Sequence, residues 1–125
     1  MFMAAKRPIV LIVEDEFLLR MDASEMIEGA GFETVEAGNA EEAIKILEHR
    51  SDIRVVFTDV QMPGSMDGLK LAAAVKGRWP PIQIIATSGR CFIREGDLPE
   101  GALFLPKPYT SERISILLHE LTGGV

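Results

Sequence analysis

Four groups of polar residues, each within two residues of the end of a short apolar run, carry the side chains of this sequence that could do chemistry. They are the three carboxylates of residues 14–16, then Asp59, Ser88 and Lys107. Clustered carboxylates repel one another, and a hard divalent cation such as Mg²⁺, which prefers oxygen ligands, relieves that repulsion. With a hydroxyl and an ammonium group, such a cation forms a clamp for a phosphoryl group. Inside that clamp a carboxylate can act as the nucleophile.

Three of the four groups have a simpler explanation when taken alone, whereas Lys107, between two prolines, is harder to dismiss. Residues 14–16 suit a helix N-terminus, which favours negative charge. Asp59 precedes a Pro-Gly turn, and Ser88-Gly89 is a common pair in loops. The specific signal is therefore the combination of all four groups, in this order, at successive ends of apolar runs.

The elements that must position these residues alternate between two patterns. Nearly continuous apolar runs are typical of parallel strands buried on both faces, and they occupy residues 9–13, 55–57, 82–86 and 102–105. Residues 32–36 alternate between polar and apolar, which predicts a strand nearer an edge.

Four helical stripes lie after or between these runs. Their members are Leu19, Ala23, Met26 and Ala30; Ala40, Ala43, Ile44 and Leu47; Leu71, Ala72, Val75 and Trp79; and Ile114, Leu117, Leu118 and Leu121. Such alternation predicts an α/β fold of the flavodoxin-like type. This is a doubly wound, five-stranded parallel sheet in the order 2-1-3-4-5, with helices on both faces. Ligands of such sheets bind at the carboxyl ends of the strands, where the four polar groups lie.

The segment between Ser88 and Lys107 is short for a complete helix. Gly96, Pro99 and Gly101 oppose helix formation there. We therefore expect a short or irregular fourth helix, with at most one or two turns near residues 90–95 and an irregular loop after them. Two interpretations stay open: a loop that partner binding orders, or a loop that shortened without consequence.

The sequence resembles the receiver domains of two-component response regulators, of the single-domain (stand-alone) type. The resemblance covers residues 8 to 122, and the whole chain, 1–125, is expected to form one receiver domain. The matching motifs are Val13-Glu14-Asp15-Glu16, Asp59-Val60-Gln61-Met62-Pro63-Gly64, Asp67-Gly68, Ser88-Gly89 and Lys107-Pro108.

The resemblance implies a role for each matching residue at the metal site. Asp59 corresponds to the aspartate that accepts the phosphoryl group. Asp15 corresponds to the carboxylate that binds Mg²⁺ directly, and Glu14 to its acidic neighbour. Gln61 would offer its backbone carbonyl to the same ion.

The resemblance also implies a phosphate contact and a switch. Lys107 corresponds to the lysine that pairs with the phosphoryl oxygens, and its peptide bond to Pro108 is expected to be cis. Ser88 corresponds to the hydroxyl that follows the phosphoryl group. Phe104 corresponds to the aromatic residue that turns inward on activation.

The resemblance implies phosphorelay signalling. A histidine kinase or phosphotransfer protein would donate to Asp59, and the modified protein would change its binding to an unknown downstream protein. The protein would not be a metabolic enzyme, because its chemistry would be limited to Mg²⁺-dependent autophosphorylation from a phosphodonor and slow autodephosphorylation.

Composition narrows the remaining function classes. The chain has 125 residues, a net charge of −6 at pH 7 and a single cysteine. That charge argues against nucleic acid as a partner, and one cysteine excludes an internal disulfide. Without a signal peptide or a long apolar segment, we expect a cytoplasmic protein that does not bind membranes.

Three alternative functions are weaker. An aspartyl-phosphate phosphatase of the haloacid dehalogenase type needs a second aspartate two residues after the nucleophile, where this chain has Gln61. A flavin-binding domain needs a phosphate loop where residues 14–16 are acidic. A constitutive protein-binding module on a receiver fold would not need the complete set of site residues.

Overall fold

The protein is described here from a computed structural model, which describes residues 7–61, 67–89 and 96–123. Its elements, in chain order, are β1 (Ile9–Val13), α1 (Phe17–Gly29), β2 (Glu33–Ala37), α2 (Ala40–His49), β3 (Ile53–Asp59), α3 (Gly68–Arg78), β4 (Gln83–Ser88), β5 (Leu103–Pro106) and α4 (Ser111–Leu121). All strand pairs are parallel, in the order β2-β1-β3-β4-β5. The predicted fold class and strand order are confirmed.

Two apolar cores, one on each face of the sheet, hold these elements together. Alternate residues of the central strands point to opposite faces. Leu11 and Val56 therefore pack with α2 and α3, whereas Ile12 and Phe57 pack with α1 and α4. All five residues of β1 are buried, as its continuous apolar run predicts. β2 lies at one edge of the sheet, as predicted, but its burial does not alternate, because Thr34 and Val35 are both half-buried.

Side-chain caps fix where three of the helices begin. Asn39 accepts a hydrogen bond from the backbone N–H of Glu42 and so caps the start of α2. Asp67 and Thr110 accept equivalent bonds at the start of α3 and α4. The cap on α3 matters most for the site, because this helix begins beside the end of β3.

The apolar stripe predicted for α1 is partly wrong. The buried residues of the helix are Ala23, Ser24 and Ile27, whereas Leu19 is 37% exposed. Leu19 lies in the first turn of α1, beside the carboxyl edge of the sheet, where it lines a cleft with Asp59 and Lys107. The first turn of α1 therefore borders the strand ends, and only later turns pack on the sheet.

The expected irregular loop before β5 is confirmed where the chain is described. Residues 96–101 form turns and bends, with Gly96 and Gly101 at positive φ angles of 96° and 88°. The helical turns expected near residues 90–95 lie outside the described residues. So do residues 62–64 of the motif that begins at Asp59.

Gly68 allows the first turn of α3 to lie directly against β3. A Cβ atom at this position would overlap the backbone of Asp59 and lie 2.7 Å from the Cα of Val60. The Gly68 N–H also donates to the Val60 carbonyl, at 2.8 Å. The main chain around Asp59 is therefore fixed by contact with a helix that only glycine can begin.

Replacing Gly68 by alanine should destabilise the protein by about 1–3 kcal/mol, because the added methyl group has no room. Gly77→Ala is the matched control on the same helix, since a Cβ there meets nothing within 4 Å. It should raise stability by about 0.5–1 kcal/mol, because alanine is the better helix former. Urea unfolding of both variants measures the difference, and equal stabilities would contradict the packing argument.

Candidate functional site

The acidic residues of the site meet because β1 and β3 end side by side. Val13 pairs with Thr58, so the residues that follow them, Glu14 and Asp59, leave the sheet as neighbours. Carboxylate oxygens of Glu14, Asp15 and Asp59 lie within 4.8 Å of one another. Glu14 and Asp59 are only 5% and 8% exposed, while Asp15 is exposed. The cluster thus has a buried floor and one carboxylate open to solvent.

Lys107 places its ammonium group between the two buried carboxylates. Its Nζ donates to Oε1 of Glu14 at 3.1 Å and to Oδ2 of Asp59 at 3.2 Å. Its backbone N–H donates to the Ser88 carbonyl at 3.0 Å, which ties the residue to the end of β4. The Lys107–Pro108 peptide bond is cis, as expected. Residues from three strand ends therefore meet at one point.

The pKa values of this cluster show which charges the fold disfavours. Burial raises the pKa of Glu14, and the negative charge of Asp59 adds to that effect. Hydrogen bonds from the Glu16 N–H and from Lys107 offset it only in part. Burial also opposes the charge of Lys107, but its bonds to Glu14 and the charge of Asp59 outweigh burial, so the pKa of Lys107 is raised. One ammonium group thus does not balance the three carboxylates.

A cation fits this donor set. The oxygens of Glu14, Asp15 and Asp59 are close enough to share one ion, and excess negative charge remains after Lys107 is paired. Hard divalent cations such as Mg²⁺ prefer oxygen ligands and bind through one or two carboxylates together with phosphate oxygens. The acidic cluster could therefore hold a metal ion.

A cleft of about 380 Å³ opens above these groups. Its lining is formed by Asp15, Glu16, Leu19, Asp59, Gln61, Gly89 and Lys107. The Gln61 N–H donates to Oδ1 of Asp59 at 3.3 Å, and the Lys107 ammonium bonds its other oxygen. The carboxylate of Asp59 is therefore oriented by both of its oxygens at the base of the cleft.

Hydrogen bonds also hold the backbone of Asp59 and of the residue after it. The Thr58 hydroxyl donates to the Asp59 carbonyl at 2.9 Å, and the Val60 N–H donates to the Thr87 carbonyl at 2.9 Å. With Gly68 packed against it, this peptide has little freedom to move. The arrangement is a preorganised carboxylate in an acidic cleft beside one ammonium group.

Comparison with known proteins identifies the family. The family model for the response regulator receiver domain matches residues 10–118. The chain belongs to the response regulator receiver family. Receiver domains are signalling modules rather than classical enzymes.

Relatives from several bacteria share this domain. The transcriptional regulatory protein PdtaR of Mycobacterium tuberculosis is 38% identical over 105 residues, 81% of this chain and 50% of PdtaR. The sensor kinase CckA of Brucella abortus is 34% identical over 118 residues, 90% of this chain and 12% of CckA. The chain therefore spans half or less of these curated relatives.

Solved structures agree on the fold. A receiver domain protein from Clostridium thermocellum superposes with a TM-score of 0.81 at 27% identity, covering 92% of this chain and 94% of that one. A receiver protein from Sinorhizobium medicae gives a TM-score of 0.87 at 24% identity, covering 94% and 95%. No helix in residues 7–61, 67–89 and 96–123 is long and apolar enough to cross a membrane.

The two expected switch residues of this receiver lie on one face of the sheet. Ala86 pairs with Phe104, and Ser88 with Pro106, so Ser88 and Phe104 share the face that α2 and α3 cover. Ser88 is 4% exposed and Phe104 is half-buried. Asp59, in alternation with Phe57, belongs to the opposite face.

Three residues near the site were not predicted from the sequence. Arg20 donates to the Glu14 carbonyl at 2.8 Å. Tyr109 packs edge-on against Phe57, with ring centroids 5.7 Å apart. The Thr87 hydroxyl is buried and lacks a hydrogen-bond partner in the described part of the chain. Thr87 and Tyr109 had a signal in the sequence, because they lie beside Ser88 and Lys107 at the strand ends, whereas Arg20 had none.

Tyr109 should ionise at higher pH in the folded receiver than in the unfolded chain. Burial raises its pKa above the usual 10.0, and the charge of Lys107 offsets this only in part. Because the folded state disfavours the phenolate, Tyr109 should lower stability as the pH rises above 10.0. It is the sole tyrosine of the chain, so phenolate absorbance reports it alone.

Spectrophotometric titration of native and urea-unfolded protein measures this shift. Tyr109→Phe is the control and should show no phenolate signal in either state. Superimposable titration curves for native and unfolded protein would disprove the burial of the phenol.

Proposed function

We propose that this receiver accepts a phosphoryl group on Asp59 from the phosphohistidine of a histidine kinase or phosphotransfer protein, and then changes its binding to a downstream protein. The observation that carries the proposal is the position of the Lys107 ammonium, 3.1 Å from Glu14 and 3.2 Å from Asp59 at the base of an acidic cleft. This arrangement provides a nucleophile, a phosphate-binding cation and oxygen donors for a metal.

The transfer itself is a displacement at phosphorus. An oxygen of the Asp59 carboxylate forms the new P–O bond, the P–N bond to the donor imidazole breaks, and the leaving nitrogen keeps the electron pair. Lys107 moves its hydrogen bond from Asp59 to a phosphoryl oxygen and so compensates the charge that gathers there. The Gln61 N–H remains on the other side of the Asp59 carboxylate and helps to aim it.

The metal site is the second part of the proposal. Asp15 and Asp59 would bind Mg²⁺ through carboxylate oxygens, Gln61 through its backbone carbonyl, and Glu14 from the adjacent position. When bound, Mg²⁺ supplies positive charge toward the phosphoryl oxygens. The close approach of three carboxylates supports this assignment.

The switch is the third part. The Ser88 hydroxyl would follow the phosphoryl group, and Phe104 would turn inward into the space that this movement leaves. Their common face of the sheet supports the coupling. The downstream partner would then recognise the surface near β4 and β5.

The alternatives have less support. A phosphatase lacks its general acid, because Gln61 occupies the position two residues after Asp59. Flavin phosphate would meet the carboxylates of Glu14 and Asp15. A constitutive binding module would not need a lysine held between two buried carboxylates. We further propose a cytoplasmic location, where kinase domains act, and a protein rather than a nucleic acid as the downstream partner.

Asp59 should be the only phosphorylated residue. Incubation with acetyl phosphate and Mg²⁺, followed by peptide mass spectrometry, should locate the modification there. Asp59→Asn should abolish labelling because the amide is not a nucleophile. Asp15→Ala should strongly reduce Mg²⁺-dependent labelling because the remaining donors bind the ion poorly.

Asp52→Asn is the matched control for these variants. Asp52 is also an aspartate paired with a basic residue, Arg50, but it is exposed and precedes β3. It should be labelled like the wild type. Full labelling of Asp59→Asn would refute the assignment of the acceptor.

Mg²⁺ should stabilise the fold at neutral pH, since it relieves the repulsion among Glu14, Asp15 and Asp59. At about ten times the dissociation constant, binding to the native state alone adds roughly 1.4 kcal/mol. Thermal unfolding with and without millimolar Mg²⁺, at equal ionic strength, measures the gain. Asp15→Asn should show a smaller increase in melting temperature. A wild-type melting temperature that does not change with Mg²⁺ would argue against the site.

A further inference from the structure

Arg20 contacts the main chain of the acidic cluster, at the carbonyl of Glu14. It lies in the first turns of α1, and its side chain is 19% exposed. Nη1 donates to the Glu14 carbonyl at 2.8 Å, and Nε donates to Oε1 of Glu36 at 3.1 Å. The guanidinium thus bridges the loop after β1 and the edge strand β2.

The Glu14 carbonyl occupies a decisive place in the loop. It belongs to the peptide bond that joins Glu14 to Asp15, so its direction sets the direction in which both carboxylates leave the chain. The Glu14 N–H donates to the Ala37 carbonyl of β2 at 3.1 Å, which is the last backbone bond between these strands. Beyond that bond, Arg20 holds the next peptide unit, between Glu14 and Asp15, through its carbonyl.

We propose that Arg20 is a positioning residue for the metal site: its guanidinium fixes the Glu14–Asp15 peptide so that both carboxylates face Asp59. The inference rests on the proposed Mg²⁺ site and extends it to a residue that does not touch the ion. Outer groups that orient metal ligands typically change metal affinity by about 10–100-fold when removed.

Geometry rather than charge is the basis of the effect. Arg20 forms its ion pair with Glu36, whereas the carboxylates of Glu14 and Asp59 form ion pairs with Lys107. Arginine presents several donors in a rigid fork, which suits two acceptors at once. Lysine at this position would reach the carbonyl or Glu36, but not hold both in the same way.

Isothermal titration with Mg²⁺ tests the proposal on the whole chain. Arg20→Ala should raise the dissociation constant about tenfold, and Arg20→Lys should raise it by less. Glu36→Gln keeps an oxygen for Nε and removes the charge, so it should bind Mg²⁺ nearly as the wild type does. Arg78→Ala is the matched control, because it breaks an ion pair of 2.8 Å with Glu48 between α2 and α3, away from the site.

A second readout separates positioning from loss of stability. Labelling by acetyl phosphate should need more Mg²⁺ in Arg20→Ala but reach the wild-type rate at saturation. Thermal unfolding without Mg²⁺ shows whether each variant is folded. If Arg20→Ala is unfolded, the Mg²⁺ affinity of Arg20→Lys tests the positioning role.

Each contrary result has a distinct meaning. A folded Arg20 variant that melts lower but binds Mg²⁺ like the wild type overturns the proposal and leaves Arg20 a purely structural residue. An equal loss of affinity in Arg78→Ala overturns it as well, because the effect would then be one of general charge. If the wild type itself binds no Mg²⁺, the proposed metal site fails and the inference fails with it.

Discussion

The contact of one ammonium group with two buried carboxylates determines how the rest of this site is built. Lys107 lies between Glu14 and Asp59, and burial makes each of these charges costly without the others. The contact exists only because three parallel strands end at the same level of the sheet. A strand that ended one residue earlier would turn its side chain to the opposite face and remove a member of the cluster.

The fold supplies the stiffness that such a charge cluster requires. The apolar strands are buried on both faces, so their ends have little freedom, and α3 begins against the backbone of Asp59 through a residue without a side chain. Hydrogen bonds from Thr58 and Gln61 complete the support of this aspartate. The packing of the apolar framework therefore fixes the distances between the charged groups of the site, and these charges provide its chemistry.

Much of this arrangement is local in the sequence and was predictable. Continuous apolar runs predicted the strands, and the polar residues at the ends of these runs predicted the cluster. Long-range contacts were not predictable. The bond of Arg20 joins a charged helix residue to the backbone carbonyl of Glu14, and His119 contacts the Ala30 carbonyl just after α1. Leu19 fits the helical stripe but lies at the cleft, because periodicity does not show where a helix passes the edge of its sheet.

The division of residues between the two faces of the sheet has a consequence for how a change at Asp59 affects the rest of the protein. Asp59 belongs to the face of α1 and α4, whereas Ser88 and Phe104 belong to the face of α2 and α3. If the hydroxyl and the aromatic ring respond as proposed, a change at Asp59 on one face of the five-stranded sheet alters side chains on the other face. The ends of β3 and β4 connect the two faces, because Asp59 pairs there with Thr87, the neighbour of Ser88.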